Sequence, residues 1–370
     1  MTGTPLHGLK VVELARILAG PWAGQVLADL GAEVVKVESP GGDDTRGWGP
    51  PFVENADGTR DAAYFHAANR GKSSIVADFR DPADLARVVD LIRDADVVIE
   101  NFKLGGLVQF GLDYNSLSAI NPRLIYCSIT GFGHTGPYAA RAGYDFIVQG
   151  MSGIMDLTGA PDGPPMKIGV AYADILTGLY AVIAIQAALL QRAETGRGQH
   201  IDLALLDVMV GTLANQAMNA LVSGVSPTRM GNAHPNIVPY EAFPTSDGWL
   251  IIACGNDTQF VRLSDLLDLP RNDAWATNAG RVADRVAVSA AVSAQTSDWE
   301  RDALLAALEG EGIPAGPINS VAQALADPQI EARGMVTNLG EGLRGIASPM
   351  RFSDADLQPG KRSPSLPRKL

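Results

Sequence analysis

The first third of the chain alternates short β-branched runs with helical patterns, and this alternation constrains the fold more than any other feature. Lys10–Leu14 and Val34–Glu38 have the composition of strands, and the segment between them predicts a helix that begins at Pro21 and ends before Gly31. This order is a βαβ unit. Later segments repeat the theme, with strands predicted at Ser74–Phe79, Val97–Glu100 and Leu124–Thr130 and a helix at Pro82–Asp94. Because parallel strands need long crossover connections, the pattern predicts a parallel sheet that is covered on both faces.

The pattern changes in the second half of the chain. A long apolar helix is predicted at Gly169–Gln191, followed by a strand at Gln199–Ala204 and a helix at Leu205–Val222. Two β-rich runs, Tyr240–Pro244 and Trp249–Cys254, then flank a Ser-Asp-Gly turn and predict a hairpin. Helical segments follow the hairpin, so we expect a second, smaller α+β domain.

Composition and charge exclude several classes of protein. Hydrophobic residues make up 46% of the 370 residues and charged ones 19%, which excludes a disordered or fibrous chain. The net charge of −12 disfavours nucleic acid and anionic membranes as partners. Cys127 and Cys254 form no CxxC motif and the five histidines are dispersed, so we expect neither a disulfide framework nor a metal site.

Targeting and membrane signals are also weak. The first seven residues lack the basic and apolar segments of a signal peptide. The most apolar run, Leu179–Leu190, is shorter than the roughly 20 residues that span a bilayer. We therefore expect a cytoplasmic protein that does not bind membranes.

The βαβ start invites comparison with dinucleotide-binding proteins. Glu38 ends the second strand, where the acidic residue that binds an NAD ribose would lie. The glycine fingerprint is absent, however, and Pro21 removes an amide donor where the pyrophosphate would bind. Gly71-Lys72-Ser73 has the end of a phosphate-binding loop without its first glycine. Nicotinamide binding is thus disfavoured but stays open at this point.

Asp174 is the most informative single residue. It lies in the first turns of an otherwise apolar helix, where an unpaired charge is costly because its surroundings exclude water. Two interpretations stay open: a buried acid satisfied by neighbouring amides, or a nucleophile or proton carrier. Glycine-rich loops at Thr130–Pro137, Thr158–Pro165 and Gly255-Asn256 are candidates to bring backbone amides to a ligand, and His134 in the first of them is a further catalytic candidate.

Taken together, these segments resemble the family III coenzyme A transferases, the group that includes formyl-CoA transferase, carnitine CoA-transferase and the 2-methylacyl-CoA racemases. The matching stretches cover most of the first 200 residues in order. They are Gly8–Pro21, Gly31–Glu38, Asp44–Pro51, Asn69–Asp78, Asp96–Phe102, Gly131–Tyr138, Gly143–Gly150, Val170–Tyr180 and Thr195–Gln199, with Gly231–Pro239 in the second half. As a set they are highly specific.

The resemblance implies an α/β fold in which two ring-like chains interlock as a homodimer. Each chain would have a large Rossmann-like domain with a parallel sheet, formed by residues 1–222, and a linker at residues 223–236. A smaller α+β domain would follow at residues 237–330. Residues 331–370 would return to the large domain.

The resemblance also implies the chemistry. Asp174 would attack the thioester of an acyl-CoA to give a mixed anhydride, and the CoA thiolate would return to form an aspartyl-CoA thioester. The acceptor acid would repeat the sequence in reverse, with backbone amides of the glycine loops holding the developing oxyanions. CoA and acyl-CoA are then substrates, and no metal or permanently bound cofactor is implied.

Further positions match residues that bind CoA in the family. They are Arg16, Leu18, Ala19, Ala77, Asp78, Phe79, Arg80, Asn101, Phe102, Lys103, Tyr144 and Asp145. Arg16 stands where formyl-CoA transferase has a histidine, and Ser39 and Gln109 stand where it has arginines. We therefore expect Arg80 and Arg141 to compensate as phosphate ligands.

The racemase branch of the family is the alternative function. It has an aspartate at the position of Asp174 and uses a histidine followed by an acid as the second base for the α-proton. This chain has Tyr144-Asp145 there, and a tyrosine with a pKa of about 10 is a poor base at neutral pH. His134 lies ten residues earlier and would serve only if its loop folded inward. The sequence therefore favours a transferase.

The second half of the chain bears on the acceptor. The segments at Gly231–Tyr240 and Gly255–Phe260 are most similar to transferases that pass CoA from succinyl-CoA to a short dicarboxylate such as glutarate. Arg229, Asn232 and Asn256 are candidates to bind the second carboxylate. Gly255-Asn256-Asp257 departs from the tetraglycine loop of formyl-CoA transferase, which argues against formate and oxalate.

Overall fold

A computed structural model describes residues 3–55, 57–358 and 360–367 and divides into two compact units. The larger unit comprises Met1–Ile154, Lys167–Val225 and Pro328–Leu370, and the smaller comprises Met155–Met166 and Ser226–Asp327. The outer ends of the predicted domains, residues 1–2 and 368–370, lie outside the described residues.

The smaller unit begins differently from the sequence-based expectation. Residues 155–166 were predicted in the large domain, but the Gly231 amide donates to the carbonyl of Gly159, and Arg229 pairs with Asp156 at 2.7 Å. Residues 226–236 were predicted as linker but belong to this unit, where the His234 amide bonds the Tyr240 carbonyl. These are contacts between distant parts of the chain, which composition does not indicate.

The strands of the described residues are β1 (Lys10–Glu13), β2 (Glu33–Glu38), β3 (Phe52–Glu54), β4 (Arg60–Ala62), β5 (Ser73–Val76), β6 (Val97–Glu100), β7 (Ile125–Thr130), β8 (His200–Ala204), β9 (Tyr240–Thr245), β10 (Gly248–Ala253), β11 (Ala315–Pro317), β12 (Val336–Asn338) and β13 (Arg344–Ile346).

The helices are α1 (Ala19–Asp29), α2 (Ala63–His66), α3 (Pro82–Arg93), α4 (Tyr114–Ile120), α5 (Asp145–Met151), α6 (Ile154–Leu157), α7 (Tyr172–Thr195), α8 (Leu205–Gly211), α9 (Ala214–Ser223), α10 (Asp257–Leu266), α11 (Asn278–Ala283), α12 (Arg285–Thr296), α13 (Arg301–Gly310), α14 (Val321–Leu325) and α15 (Pro328–Ala332). Short 3₁₀ turns lie at Asp44–Gly47, Val108–Phe110 and Asp273–Ala276.

The predicted parallel sheet is confirmed. Six strands pair in the order β5-β2-β1-β6-β7-β8, and every pairing is parallel. Numbered along the chain, this is the doubly wound order 3-2-1-4-5-6, in which the direction of winding reverses between β1 and β6. Ligands of such sheets bind at the carboxyl ends of the strands on either side of that reversal.

Apolar side chains cover both faces of the sheet, as predicted. Val11 and Ile99 face α1 and α7, and Val12 and Val98 face the opposite layer, which contains α3 and α4. Alternate residues of a strand point to opposite faces, so each strand supplies both layers. A strand that is buried on both faces can therefore be apolar at successive positions, without the alternation of apolar and polar residues that a half-exposed strand shows.

Helix α7 is longer than the apolar run counted from the sequence. By length and composition it could cross a membrane, and so could the bent pair α8–α9 taken as one span. Within the larger unit, Ala181 and Ile185 of α7 are fully buried against α1 and the sheet. Other apolar side chains of α7, among them Ile183 and Leu190, are exposed, so only part of the helix surface is packed within this unit.

Two helix boundaries differ from the prediction. Helix α1 begins at Ala19, so Pro21 is its third residue rather than its first. The single helix predicted at Leu205–Val222 is broken into α8 and α9, bent by 73°, because Ala214 takes a positive φ of 47°.

The smaller unit contains the predicted hairpin. Strands β9 and β10 pair antiparallel, with Gly248 opposite Thr245, and β11 adds to the other edge of β10. Phe243 and Leu250 on the sheet pack with apolar residues of α10, α12 and α13, among them Val288.

Candidate active site

The loops that follow β1, β6 and β7 surround a cleft of about 360 Å³ in the larger unit, beside the reversal in strand order. Asp174, in the first turn of α7, lines this cleft. The predicted site residues that line it with Asp174 are Arg16, Leu18, Ala19, Asn101, Phe102, Lys103, Arg141, Tyr144 and Asp145. Residues from four separate segments of the chain therefore meet at one position of the sheet.

A second cleft, of about 320 Å³, adjoins the first. It follows the ends of β1, β2 and β5 and shares Arg16 and Phe102 with the Asp174 cleft. Its lining includes the remaining predicted residues, Ala77, Asp78, Phe79 and Arg80. The fold thus brings Asp174 and all the predicted CoA-binding residues to two adjoining clefts, and their binding roles stay predictions.

The Asp174 carboxylate has no hydrogen bond or ion pair among the described residues. Burial and, to a lesser extent, the negative charge of Asp145 raise the pKa of Asp174 to about 7. An acid satisfied by neighbouring amides would have a lowered pKa. The structure therefore contradicts the first of the two interpretations of Asp174 and leaves a carboxylate that is open to a ligand.

Asp145 holds the start of the helix that carries Asp174. Its Oδ1 accepts a hydrogen bond from the Ala173 amide at 2.8 Å, and its Oδ2 accepts one from Gln149 Nε2 at 2.8 Å. Gln149 Oε1 in turn accepts from the Ile168 amide at 2.9 Å. Asp145 thus acts as an N-terminal cap for α7, supplied by α5 rather than by the residue before the helix.

Two glycine contacts fix the backbone around the cleft. A Cβ atom on Gly131 would lie 2.3 Å from the Cα of Gly143, so the two loops touch through their main chains. A Cβ atom on Gly178 would lie 2.7 Å from the carbonyl oxygen of Ala19, so α7 crosses the start of α1 at similarly close range. Side chains at either position would push these segments apart.

Comparison with known proteins shows which family the chain belongs to. The sequence model of CoA-transferase family III matches residues 6–368. The chain belongs to CoA-transferase family III. The resemblance seen in the sequence motifs is thereby confirmed, and the protein is an enzyme of the CoA-transferase class.

Named relatives of this CoA-transferase include succinate–glutarate CoA-transferase of Agrobacterium fabrum, which is 58% identical over 98% of this chain and 93% of its own length. The succinyl-CoA:glutarate CoA-transferase of Mus musculus is 43% identical over 98% of this chain and 84% of its own. Among solved structures, a CAIB/BAIF family protein from Brucella suis superposes with a TM-score of 0.92 at 65% identity, covering 99% of this chain and 97% of its own.

The basic residues of this CoA-transferase differ in how much of their charge is already paired. Arg80 is held by Asp78 at 2.8 Å, and Arg16 by Asp44 at 3.0 Å. Lys103 forms no ion pair among the described residues, and the Arg141 guanidinium lies over the Tyr138 ring, 4.1 Å from its centre. Lys103 and Arg141, both in the Asp174 cleft, are the cations most available to an anionic ligand.

His134 lies away from Asp174. Its ring centre is 5.0 Å from that of His200, and its amide donates to Asp202. It lines another cavity of about 300 Å³ with Glu100 and Ser128. That cavity shares Phe102 and Lys103 with the Asp174 cleft. His134 itself is not among the residues that line the Asp174 cleft, and lining it is the condition under which His134 could serve as a second base.

The candidates for the second carboxylate belong to the smaller unit. Arg229 is paired with Asp156, and its Nε is buried without a hydrogen-bond partner among the described residues. Asn256 caps α10 by accepting a hydrogen bond from the Gln259 amide at 2.9 Å. Both side chains thus have local roles, and their contact with a substrate stays a prediction, as does that of Asn232.

Two residues that shape the site were missed from the sequence. Gln149 follows Asp145 by four residues, a spacing that places two side chains on one face of a helix. Asp43 precedes Thr45 in the manner of an N-cap and accepts its amide hydrogen bond at 3.0 Å. Both signals are local, but the partners that make them important lie elsewhere in the chain.

Metal ligation has no visible basis here. Across residues 3–55, 57–358 and 360–367, no group of three or more His, Cys, Asp and Glu side chains is arranged to hold a metal ion.

Proposed function

We propose that this CoA-transferase moves CoA from succinyl-CoA to a short dicarboxylate such as glutarate, through covalent intermediates on Asp174. The observation that carries the proposal is the Asp174 carboxylate, which lines the cleft without a partner among the described residues. The relatives named for succinate and glutarate support the choice of substrates.

The chemistry proceeds by exchange of acyl bonds. Asp174 attacks the thioester carbonyl of succinyl-CoA, the C–S bond breaks, and CoA leaves as the thiolate from a succinyl-aspartyl anhydride. The thiolate then attacks the aspartyl carbonyl carbon, which releases succinate and leaves an aspartyl-CoA thioester. Glutarate attacks this thioester and displaces CoA, and the thiolate finally attacks the glutaryl carbonyl, which regenerates the Asp174 carboxylate.

The two adjoining clefts are proposed to hold CoA. Its thioester end would lie by Asp174, and the rest of the molecule would run past Phe102 toward the residues after β5, Ala77–Arg80. Lys103 and Arg141 would meet its phosphates, since neither is paired with a carboxylate in the part of the chain that the structure describes. We further propose an interlocked homodimer in the cytoplasm with no permanently bound cofactor, as the family resemblance and the sequence lead us to expect.

The covalent step is tested by trapping. The enzyme is incubated with succinyl-CoA and hydroxylamine, and the intact protein is weighed; an activated aspartyl ester becomes a hydroxamate about 15 Da heavier. We expect the modification on the peptide that contains Asp174 and none in Asp174→Ala. The matched control is Asp90→Ala, which removes an exposed acid of α3 and should leave the modification intact.

The substrates and the alternative activity are tested next. We expect succinyl-CoA turnover with glutarate to exceed turnover with monocarboxylates of similar length. No turnover with any dicarboxylate would overturn the choice of acceptor. Deuterium exchange at the α-carbon of a 2-methylacyl-CoA, without an adduct on Asp174, would instead establish the racemase.

A further inference from the structure

Ile17, at the entrance to α1, has an unfavourable backbone conformation. Its φ is 72°, in the left-handed region that β-branched residues rarely adopt. Such a conformation persists only where surrounding contacts impose it, and these positions cluster at functional sites. Ile17 lines the cleft that contains Asp174.

The contacts that impose this conformation hold the peptide group between Arg16 and Ile17 by both edges. Asn101 Nδ2 donates to the Arg16 carbonyl of this peptide group at 2.7 Å, and Asn101 Oδ1 accepts from the Arg16 amide, which belongs to the preceding peptide group, at 2.9 Å. From the opposite edge, Asp43 Oδ2 accepts from the Ile17 amide at 3.2 Å. The plane of the peptide is therefore fixed by two side chains that lie 58 residues apart in sequence.

Asp43 is itself held by a buried cluster of charges. Lys36 Nζ lies 2.9 Å from Asp43 and 3.0 Å from Glu13, and it also donates to the Ala15 carbonyl at 2.9 Å. Burial raises the pKa of Asp43, but Lys36 and the hydrogen bonds from Thr45 outweigh it, so the pKa lies below its ordinary value. Asp43 is thus an ionised acceptor for the Ile17 amide.

The residues just after Ile17 line the same cleft as Asp174. Leu18 and Ala19 line the Asp174 cleft, and among the described residues their amides have no hydrogen-bond acceptor. These are the first amides of α1, which a helix leaves unsatisfied at its N-terminus. The direction in which they point is set by the backbone dihedrals of Ile17.

We propose that Asn101 and Asp43 are positioning residues, which hold Ile17 in its left-handed conformation and thereby aim the first amides of α1 at the group that Asp174 attacks. The inference rests on the proposed function and adds a role to it. Asn101 was predicted as a CoA contact, but both polar atoms of its amide are bonded to the backbone of Arg16. Its contribution is then to the shape of the cleft.

The test compares Asn101→Ala in three backgrounds: the unsubstituted enzyme, Ile17→Gly and Ile17→Ala. Glycine adopts a positive φ without the steric penalty of a side chain, whereas alanine keeps most of that penalty. We expect Asn101→Ala to lower kcat on the order of 10-fold in the unsubstituted and Ile17→Ala backgrounds, since left-handed residues are disfavoured by about that factor. In the Ile17→Gly background the loss should fall to about 3-fold or less, with little change in the KM for succinyl-CoA in any background.

Two further variants keep the result interpretable if Asn101→Ala folds poorly. Asn101→Asp keeps the size and the acceptor but loses the donor to Arg16, and it should show the same rescue by Ile17→Gly. Asn121→Ala is the matched control, because Asn121 also binds backbone carbonyls, those of Ile92 and Ala95, but away from the site. It should lower stability and leave kcat within about 2-fold.

Asp43→Asn, assayed in the same backgrounds, examines the other edge of the peptide. For Asn101→Ala, an equal loss of kcat in all three backgrounds, or a rise in the KM for succinyl-CoA without a fall in kcat, would overturn the proposal. Asn101 would then be a direct ligand of the substrate. Failure of the proposed function has a different signature: the unsubstituted enzyme would then form no hydroxamate at Asp174.

Discussion

Two carboxylates of the larger unit, those of Asp43 and Asp174, have pKa values shifted in opposite directions, although both are largely buried. Asp43 is 4% exposed and is met by Lys36, Thr45 and the Ile17 amide, and its pKa is lowered. Asp174 has no partner among the described residues, and its pKa is raised to about 7. Burial alone therefore does not decide the direction in which the pKa of a carboxylate shifts here. The difference lies in whether the fold supplies a counter-charge or leaves that place to a ligand.

The largest effect should come from removing the carboxylate without a partner. Asp174→Ala is expected to lower CoA transfer on the order of 10⁴-fold, as loss of a covalent nucleophile does in other enzymes. The measurement is the steady-state rate with succinyl-CoA and glutarate, with circular dichroism as the control for folding. A loss of less than 10-fold, on the same assay, would mean that Asp174 does not form the covalent intermediate.

Removing the cation of the buried cluster around Asp43 should lower the stability of the protein. Lys36→Met leaves Glu13 and Asp43 buried without their shared cation, which is expected to cost about 3–5 kcal/mol of unfolding free energy. Urea unfolding checks the value. Arg93→Met, which removes an exposed partner of Asp90 on α3, is the control and should change the midpoint little.

The pH dependence of stability should also distinguish Asp174 from the buried carboxylates that are paired with cations. The folded-state pKa of Asp174 lies above its ordinary value, so the folded protein binds the proton more tightly, and stability falls as the pH rises from about 4 to 7. Asp174→Asn removes this loss and should raise the melting temperature at pH 8 more than at pH 4. Equal shifts at the two pH values would contradict the raised pKa.

A smaller effect is expected at Asp145. Asp145→Asn can still accept the Ala173 hydrogen bond, but it removes the negative charge beside Asp174, so the pKa of Asp174 should fall below 7. The pH profile of hydroxamate formation at Asp174 should then shift toward acid. A profile that stays in place would show that burial alone raises the pKa.

The smallest effects concern the cations. Lys103→Ala should raise the KM for succinyl-CoA several-fold, because Lys103 has no carboxylate partner among the described residues. Arg80→Ala should raise it less, since Asp78 already holds that guanidinium. The reverse order would mean that CoA displaces Asp78 when it binds.

The sheet and the position of Asp174 were predictable because their signals are local. β-branched runs between helical patterns specify the parallel strands, and an acid in the first turn of an apolar helix is visible without any partner. The conformation of Ile17 was not predictable. Local preference opposes it, and the side chains that impose it, Asp43 and Asn101, lie on other loops.

The same reasoning explains two other misses. The break between α8 and α9 depends on Ala214 at positive φ, a residue with high helix propensity that predicts continuation. His134 was a catalytic candidate because of its glycine-rich setting, but its amide binds Asp202 and its ring lies beside that of His200. In each case contacts between distant segments outweighed the local pattern.

The close crossing of α7 over α1 at Gly178 also bears on how the enzyme could be redesigned for other acids. The main chains of the two helices meet there. The distance between Asp174 and the start of α1 therefore cannot be increased by substituting smaller side chains. Ala139, Ala142 and Leu205 line the same cleft and are free of that crossing. Libraries that seek longer or bulkier acceptors should therefore vary these three positions and leave Gly178 alone.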